Sequence, residues 1–516
     1  MSINNVSHNR CFLGFNCRFL LLFGASNDII DTMSGSLQGE ALYTAIEGGD
    51  LYKKNEDFCV NLHFQKQRIM KSQPNTYIKT YKNILRLGLP ILIGQLGTIV
   101  VGFADNIMVG HYSTEALASA SFVNNLFNCG LFACLGFTYG ITPIVASLFS
   151  RKMDNEIGST MRSAVKLNVA FSLAVTLIMT IFFLNVERMG QPEELIPIIK
   201  PYFMIYLAGV VPVSLFNVFA QWSYAINNTR MPMWIILGAN ALNIIGNYML
   251  IYGNWGMPEM GLTGAGVSTL TARLLSAGLM MGAFFGRKRY ASYAKAFMRG
   301  VPVRGMARKL NRTSWPVAVQ MGLESGSFTF AAIVAGWLGT IELASFQIIV
   351  IVGMLGFCLY YSVGSATSVL VANACGLNDT REMRRIAFGG YHVTIAIGTV
   401  SSLAFILGGR FLISAFTTDP AVLAMTMTLI IPLVLYQLGD ATQISFANAL
   451  RGTSNVMPML WIAFVSYVII GAPATYLLAI PAGMGVTGII LSFSASLFFA
   501  GGCFAYFFFR TVRGGN

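Results

Sequence analysis

The stretch EALASA, Glu115 to Ala120, returns 226 residues later as IELASF, Ile341 to Phe346. The same offset relates Pro90 in LGLPIL to Pro316 in TSWPVA, and MPMW (Met231 to Trp234) to MPML (Met457 to Leu460). Further on, MGLTG (Met260 to Gly264) recurs as MGVTG (Met484 to Gly488) at an offset of 224. One chance match carries little weight. One register held over more than 140 residues marks an internal duplication.

Composition says what is duplicated. Apolar residues make up 55% of the 516 positions and charged residues only 11%, whereas a water-facing surface needs about 25% charged residues. Of the 55 charges, 17 lie in the first 86 residues. Beyond them, apolar runs recur near 84–109, 116–149, 163–186, 197–221, 232–253, 262–286, 312–338, 343–374, 386–410, 421–449, 457–480 and 485–509. Each is long enough to cross about 30 Å of hydrocarbon. Lipid satisfies no backbone group, so such runs must be helices; barrel strands are shorter and alternate. The expected fold is an all-α polytopic membrane protein of about twelve transmembrane helices. Six spans per copy is an even number, so both copies enter from the same side. This predicts a parallel repeat about an axis along the membrane normal, two six-helix lobes around a central cleft.

The net charge of +13 does not point to nucleic acid, because the basic residues sit in short clusters between apolar runs rather than on one face with aromatics. Twenty Lys and Arg fall on one side: Arg151, Lys152, Arg162, Lys166, Arg230, nine from Arg287 to Arg312, Arg381, Arg384, Arg385, Arg451, Arg510 and Arg513. The other side holds Arg188, Lys200 and Arg410. Such an imbalance places both termini in the cytoplasm.

The expected domains are a poorly ordered cytoplasmic tail (1–82), an N-lobe (83–286), a basic cytoplasmic linker (287–311), a C-lobe (312–510) and a short cytoplasmic end (511–516). In the tail, the run from Cys11 to Gly24 is too short to span and lacks a clean cleavage site, which argues against a signal peptide. Met70 opens MKSQPNTYIKTYKNILRLG, which reads as an ordinary start. The eight cysteines form no C-x-x-C pair, which argues against a disulfide framework or metal site.

Ionisable groups inside a membrane are costly, and by default they are functional candidates. Well inside spans lie three carboxylates, Asp105, Glu324 and Asp440, and one base, Arg273. Helical rise puts Glu324 about 18 Å from the cytoplasmic start of its span and Asp440 about 14 Å from the cytoplasmic end of its own, a similar depth. Their sister positions in the repeat are Thr98 and Ser214, while that of Asp105 is Ala331; the fold itself therefore does not require them. Two readings stand: pairing with Arg273 or hydroxyls as structural glue, or reversible binding of Na⁺ or a proton, which removes the cost of burying the charge. Tyr436 lies one turn before Asp440 on the same face, where its hydroxyl can help complete an oxygen shell for Na⁺ with Glu324 and Asp440. Asn243 and Asn247 form another i, i+4 polar pair, suited equally to interhelical hydrogen bonding and to a cleft, with Arg273 as an anchor for these amides or for Asp105.

No G-x-x-x-x-G-K-[ST] stretch is present, so the chain carries no P-loop for ATP hydrolysis. The four histidines are dispersed, with no H-E-x-x-H pattern, and no nucleophilic triad is evident. An enzyme is disfavoured, and no cofactor is called for. A channel is disfavoured too, because lone carboxylates do not make a charged ring.

With two six-helix halves, GFADNIMVG (Gly102 to Gly110) in the first span, a lone Glu in the seventh and Y-x-x-x-D in the tenth, the sequence resembles the MATE family of multidrug and toxic compound extrusion transporters. Its NorM-like bacterial branch is the nearer match. The resemblance covers about 84 to 510, and ALRGTSN, Ala449 to Asn455, is among its more specific stretches. It implies a V-shaped two-lobe bundle in the bacterial inner membrane, acting as a monomer, that exports organic cations in exchange for Na⁺ or H⁺. By resemblance, Glu324, Tyr436 and Asp440 fall on the second-lobe cation site and Asp105 on the first-lobe carboxylate. Asn243 matches a first-lobe polar ligand, and Thr269 a sixth-span member of that site. Asn247 departs from the pattern, standing where another branch carries Asp. The alternative is a flippase of lipid-linked oligosaccharide or peptidoglycan precursors from the same superfamily. Such flippases carry several cationic cleft residues for pyrophosphate, whereas here three acids face one Arg.

Overall fold

The computed structural model describes residues 51–514 except residue 302. The expectations for residues 1–50 lie outside the described residues. The chain divides into two units, Met1–Thr76 and Tyr77–Asn516, and the second carries every membrane span found among the described residues.

The twelve spans expected from the apolar runs are present. They are span 1 (Tyr77–Tyr112), span 2 (Thr114–Ser150), span 3 (Asp154–Leu184), span 4 (Glu193–Ala225), span 5 (Arg230–Tyr252) and span 6 (Gly261–Gly286) in the N-lobe. The C-lobe holds span 7 (Met306–Leu338), span 8 (Thr340–Gly376), span 9 (Thr380–Ser414), span 10, span 11 (Met457–Ala479) and span 12 (Gly485–Arg513). Span 10 is a bent pair, Pro420–Thr428 and Ile430–Gly452, meeting at 47°. Most of these helices outrun their apolar stretches, because backbone hydrogen bonding carries the helix beyond the hydrocarbon.

Two breaks have a common cause. Span 2 divides at Gly140, between Thr114–Tyr139 and Ile141–Ser150, and Pro143 lies four residues after Tyr139. In span 10 the break falls after Thr428, four residues before Pro432. A proline has no N–H for the carbonyl four residues back, and its ring crowds that carbonyl. Span 11 carries a π-helical stretch, Phe464–Gly471, a wider turn that often marks functional positions.

The packing shows where the lobes join. Away from the basic end, the apolar clusters belong to one lobe each: Val123, Phe127, Phe203 and Ile251 in the N-lobe, and Val334, Phe346, Leu433 and Phe493 in the C-lobe. At the basic end they are shared. Ala372 of span 8 packs into the N-lobe cluster around Trp222 and Phe284. Tyr139 of span 2 packs into the C-lobe cluster around Leu450 and Phe504. Ile84 and Leu87 of span 1 pack on Val363 and Ala366 of span 8.

One face of span 2 traces the gap this leaves. Ser121, Asn125, Asn128, Phe132, Leu135 and Tyr139 fall within one helical stripe. At its basic end the stripe is buried against the C-lobe, while Ser121, Asn125 and Asn128 are exposed. The matching stripe of span 8 runs from buried Tyr361 to exposed Met354 and Gln347. The lobes are closed at the basic end and part towards the other.

The linker is only partly a loop. Within 287–311 lie a turn at Lys288–Tyr290 and a helix, Ala291–Arg299. Tyr290, Tyr293 and Ala294 pack into the N-lobe cluster, Arg162 donates to the Phe297 carbonyl, and Ser159 donates to the Val301 carbonyl at 3.1 Å. The foot of span 7, Met306 and Leu310, lies in the same cluster.

Candidate functional site

The C-lobe gathers its two carboxylates. Asp440 is 2% exposed on span 10, and Tyr360 of span 8 donates to its Oδ2 at 2.6 Å. Glu324 of span 7 is partly buried. It sits beside Gln320 and Tyr467, within electrostatic reach of Asp440 and Arg451. Tyr467 comes from the π-helical part of span 11 and accepts from Gln443 Nε2 at 3.2 Å. Tyr436 lies within electrostatic reach of both acids, its ring edge-on to Phe328 and Phe493. The hydrogen-bond donor to Asp440 is thus Tyr360, not the Tyr436 that shares its helix face.

Four spans therefore supply two acids, three phenols and two amides to one compact region. Oxygen donors around a pair of carboxylates are what a hard cation or a proton requires. Two acids within electrostatic reach of each other disfavour both being charged at once.

The N-lobe holds a second, separate cluster. Asn247 Nδ2 of span 5 donates to Asp105 Oδ1 of span 1. With its amide oriented to suit both neighbours, Asn243 donates to the same Oδ1 at 2.9 Å and accepts from Thr269 Oγ1 of span 6 at 3.1 Å. Ser268 donates to the Asn243 carbonyl at 2.8 Å. Asn243 is 3% exposed and Asn247 fully buried. Arg273 is within electrostatic reach of Asp105, but its guanidinium stacks over the Tyr206 ring, 4.6 Å from the centroid, against Gly209 of span 4. Arg273 therefore accompanies Asp105 alone, not the C-lobe pair. The eight residues singled out from the sequence divide into two groups: Glu324, Tyr436 and Asp440 in one lobe, and Asp105, Asn243, Asn247, Thr269 and Arg273 in the other.

The sequence reading missed three features. Tyr360 and Tyr467 carry no signal, since a lone Tyr in an apolar helix usually belongs to the core. The Ser121, Asn125, Asn128 stripe could have been found from its i, i+4, i+7 spacing. Arg451 was counted among the solvated basic connections, and this is corrected: it is 6% exposed within the last turn of span 10. Its guanidinium lies over the Tyr139 ring of the other lobe, 4.7 Å from the centroid.

A duplicated twelve-span helical bundle, closed at one end and carrying in each half a polar cluster built on carboxylate, two acids in the C-lobe and Asp105 alone in the N-lobe, defines a two-lobed multi-pass membrane protein of the transporter type. A family model described as MatE matches twice, at residues 90–249 and 316–477, starting at the two prolines that head the repeat, and the chain belongs to that family. It is similar to a probable multidrug resistance protein NorM of Xanthomonas axonopodis pv. citri, 27% identical over 390 residues, covering 75% of this chain and 84% of the relative. It is also similar to a protein of the same name from Oceanobacillus iheyensis, 28% identical over 410 residues, covering 79% and 91%. Among solved structures, one titled as the outward-facing conformation of a multidrug resistance MATE family transporter of the MOP superfamily aligns with a TM-score of 0.74, at 18% identity over 85% of this chain and 97% of that one. A MOP superfamily transporter from Pyrococcus furiosus, titled for the reverse polarity of its binding pocket and a different function, aligns with a TM-score of 0.77, at 17% identity over 84% and 96%. Fold alone thus leaves function open, and the site must carry the argument.

Proposed function

We propose that the protein is a secondary antiporter that exports organic cations, drugs among them, in exchange for Na⁺ or H⁺ by alternating access. The observation that carries this is the Glu324–Asp440 pair, enclosed by the phenols of Tyr360, Tyr436 and Tyr467 and without a basic side chain in ion-pair contact. A carboxylate pair of this kind accepts one small cation or proton and gives it up when solvent or an organic cation arrives. Coupling needs each ligand to favour one conformation, because a ligand of equal affinity for both shifts nothing. The exposed polar stripe between the lobes supports a path for substrate. The Asp105, Asn243, Asn247, Thr269 cluster, with Arg273 behind it, serves as the N-lobe polar wall of the cleft, and the acid there as a second proton or cation site. The names of the bacterial relatives support the drug class. Together with the basic bias of one end, they support placement in a bacterial inner membrane with both termini cytoplasmic. The protein acts as a monomer, with small organic cations and membrane lipid as its partners, no nucleic acid and no cofactor beyond the coupling ion.

The test is efflux of a fluorescent organic cation from proteoliposomes under an imposed Na⁺ gradient and, separately, an imposed pH gradient. One gradient drives export and the other does not; export driven by neither removes the antiport reading.

A further inference from the structure

The closed end contains a buried positive charge with no negative partner in contact. Lys200 pairs with Glu187 and Arg385 with Glu382, and neither pair involves Arg451. A guanidinium taken out of water needs a counter-charge or a full set of acceptors. Arg451 has one such acceptor, Asn448 Oδ1, to which Nη1 donates at 3.1 Å. The face of Tyr139 supplies a weaker attraction. Its Nε is buried with no hydrogen-bond partner. Glu324 feels its field but sits beside Gln320 and Tyr467.

Beside this guanidinium lies a cavity of about 20 Å³, lined from the N-lobe by Tyr139, Thr142 and Gln221 and from the C-lobe by Ser368, Asn448 and Arg451. Its size admits a single water-sized occupant. Thr142 donates to Gln221 Oε1 at 2.6 Å, which commits that carbonyl and leaves the amide N–H groups as donors. The Ser368 hydroxyl is buried, at 3% exposure, and has no partner. The buried groups left without a partner are thus an arginine N–H and a hydroxyl, beside the Gln221 amide and the Tyr224 and Ser365 hydroxyls that also line the space; with the guanidinium's charge they favour an anion over a cation.

We propose that this interlobe cavity binds a single small inorganic anion of the chloride class, held by the Arg451 guanidinium and the Ser368 hydroxyl. The walls come from both lobes, so the site is complete only while the basic end is closed. A ligand bound by one conformation alone stabilises that conformation by mass action. Chloride therefore favours the state closed at the basic end, separately from any cation bound at Glu324 and Asp440.

The experiment uses the full-length purified protein and follows thermal unfolding as sodium chloride replaces sodium gluconate at constant Na⁺. The wild type is expected to show a saturable rise in Tm with chloride. Arg451→Gln should melt cooperatively with no chloride response. Ser368→Ala should need at least about tenfold more chloride for half-saturation, as loss of one hydrogen bond to a charged group implies, and it decides the matter should Arg451→Gln not fold. Crystals grown in bromide should show an anomalous peak between Arg451 and Ser368. A wild type indifferent to chloride, an unchanged response in both variants, or bromide absent from the cavity would overturn the proposal. None of these readouts depends on transport, so they stand or fall apart from the antiport reading.

Discussion

Tyr139 of span 2 and Tyr361 of span 8 meet hydroxyl to hydroxyl across the boundary between the lobes. Both are buried, and Arg451 lies over the face of the first. The contact is the centre of the closed end. From it the facing stripes of spans 2 and 8 diverge towards Asn125 and Gln347, which are exposed.

Closure at this point depends on close backbone approach. A Cβ on Gly136 would come within 2.9 Å of the Ala318 Cα and the Val317 carbonyl oxygen of span 7. Gly136→Val should cost the closed end about 1–3 kcal/mol, the usual range for overpacking. Spin labels at the exposed positions Lys152 and Leu377, on either side of the boundary, should then report a longer-distance population. An unchanged distance distribution would show that the contact does not govern closure.

Asp440→Asn and Glu324→Gln should each abolish export of an organic cation while leaving membrane insertion intact. Resistance conferred on a drug-sensitive host, alongside the amount of protein in the membrane, checks this. Wild-type resistance in both variants would remove the pair from coupling.

Tyr360→Phe removes the phenol that donates to Asp440 and nothing else in volume. A hydrogen bond to a charged group contributes about 1.5–3 kcal/mol, so export at a fixed gradient should fall about tenfold or more. The comparison is Tyr436→Phe, whose hydroxyl makes no hydrogen bond to Asp440 and whose loss should cost less. Equal losses would mean that the two phenols share the carboxylate.

In the N-lobe, Asp105 and Asn247 act as one unit. Asp105→Asn and Asn247→Leu should each lower thermal stability, and the double variant should lose less than the sum. A coupling of about 0.5–3 kcal/mol is the range for residues in direct contact, measured by a double-mutant cycle on reversible melts. Strict additivity would separate them.

The twelve spans were legible because apolar length is a direct requirement of lipid, and the lobes because Pro90 and Pro316 begin the same pattern twice. Asp105 and Asn247 stood out for the same reason: polar atoms in an apolar helix are expensive, and the structure gives each the other as partner. The contributions of Tyr360 and Tyr467 were not legible, because a phenol costs little in an apolar helix and which acid it meets depends on how four helices pack. Arg451 misled for a physical reason. Counting Lys and Arg near helix ends assumes that they reach water, but here the last turn of span 10 is enclosed by the opposite lobe. The docked helix Ala291–Arg299 was hidden by its basic residues, which face outward while Tyr293, Ala294 and Ala296 are buried.

That docking leaves no slack between the halves. Val303 and the foot of span 7 pack on the same N-lobe cluster as Tyr290 and Trp222, so the covalent tether is anchored on the N-lobe side until it has entered the helix. Any swing of the C-lobe must then be absorbed inside span 7, and Pro316, where one backbone hydrogen bond is missing, is its weakest point. Glu324 lies two turns past that proline, so in such a swing the acid would travel with the C-lobe while the base of its own helix stayed behind.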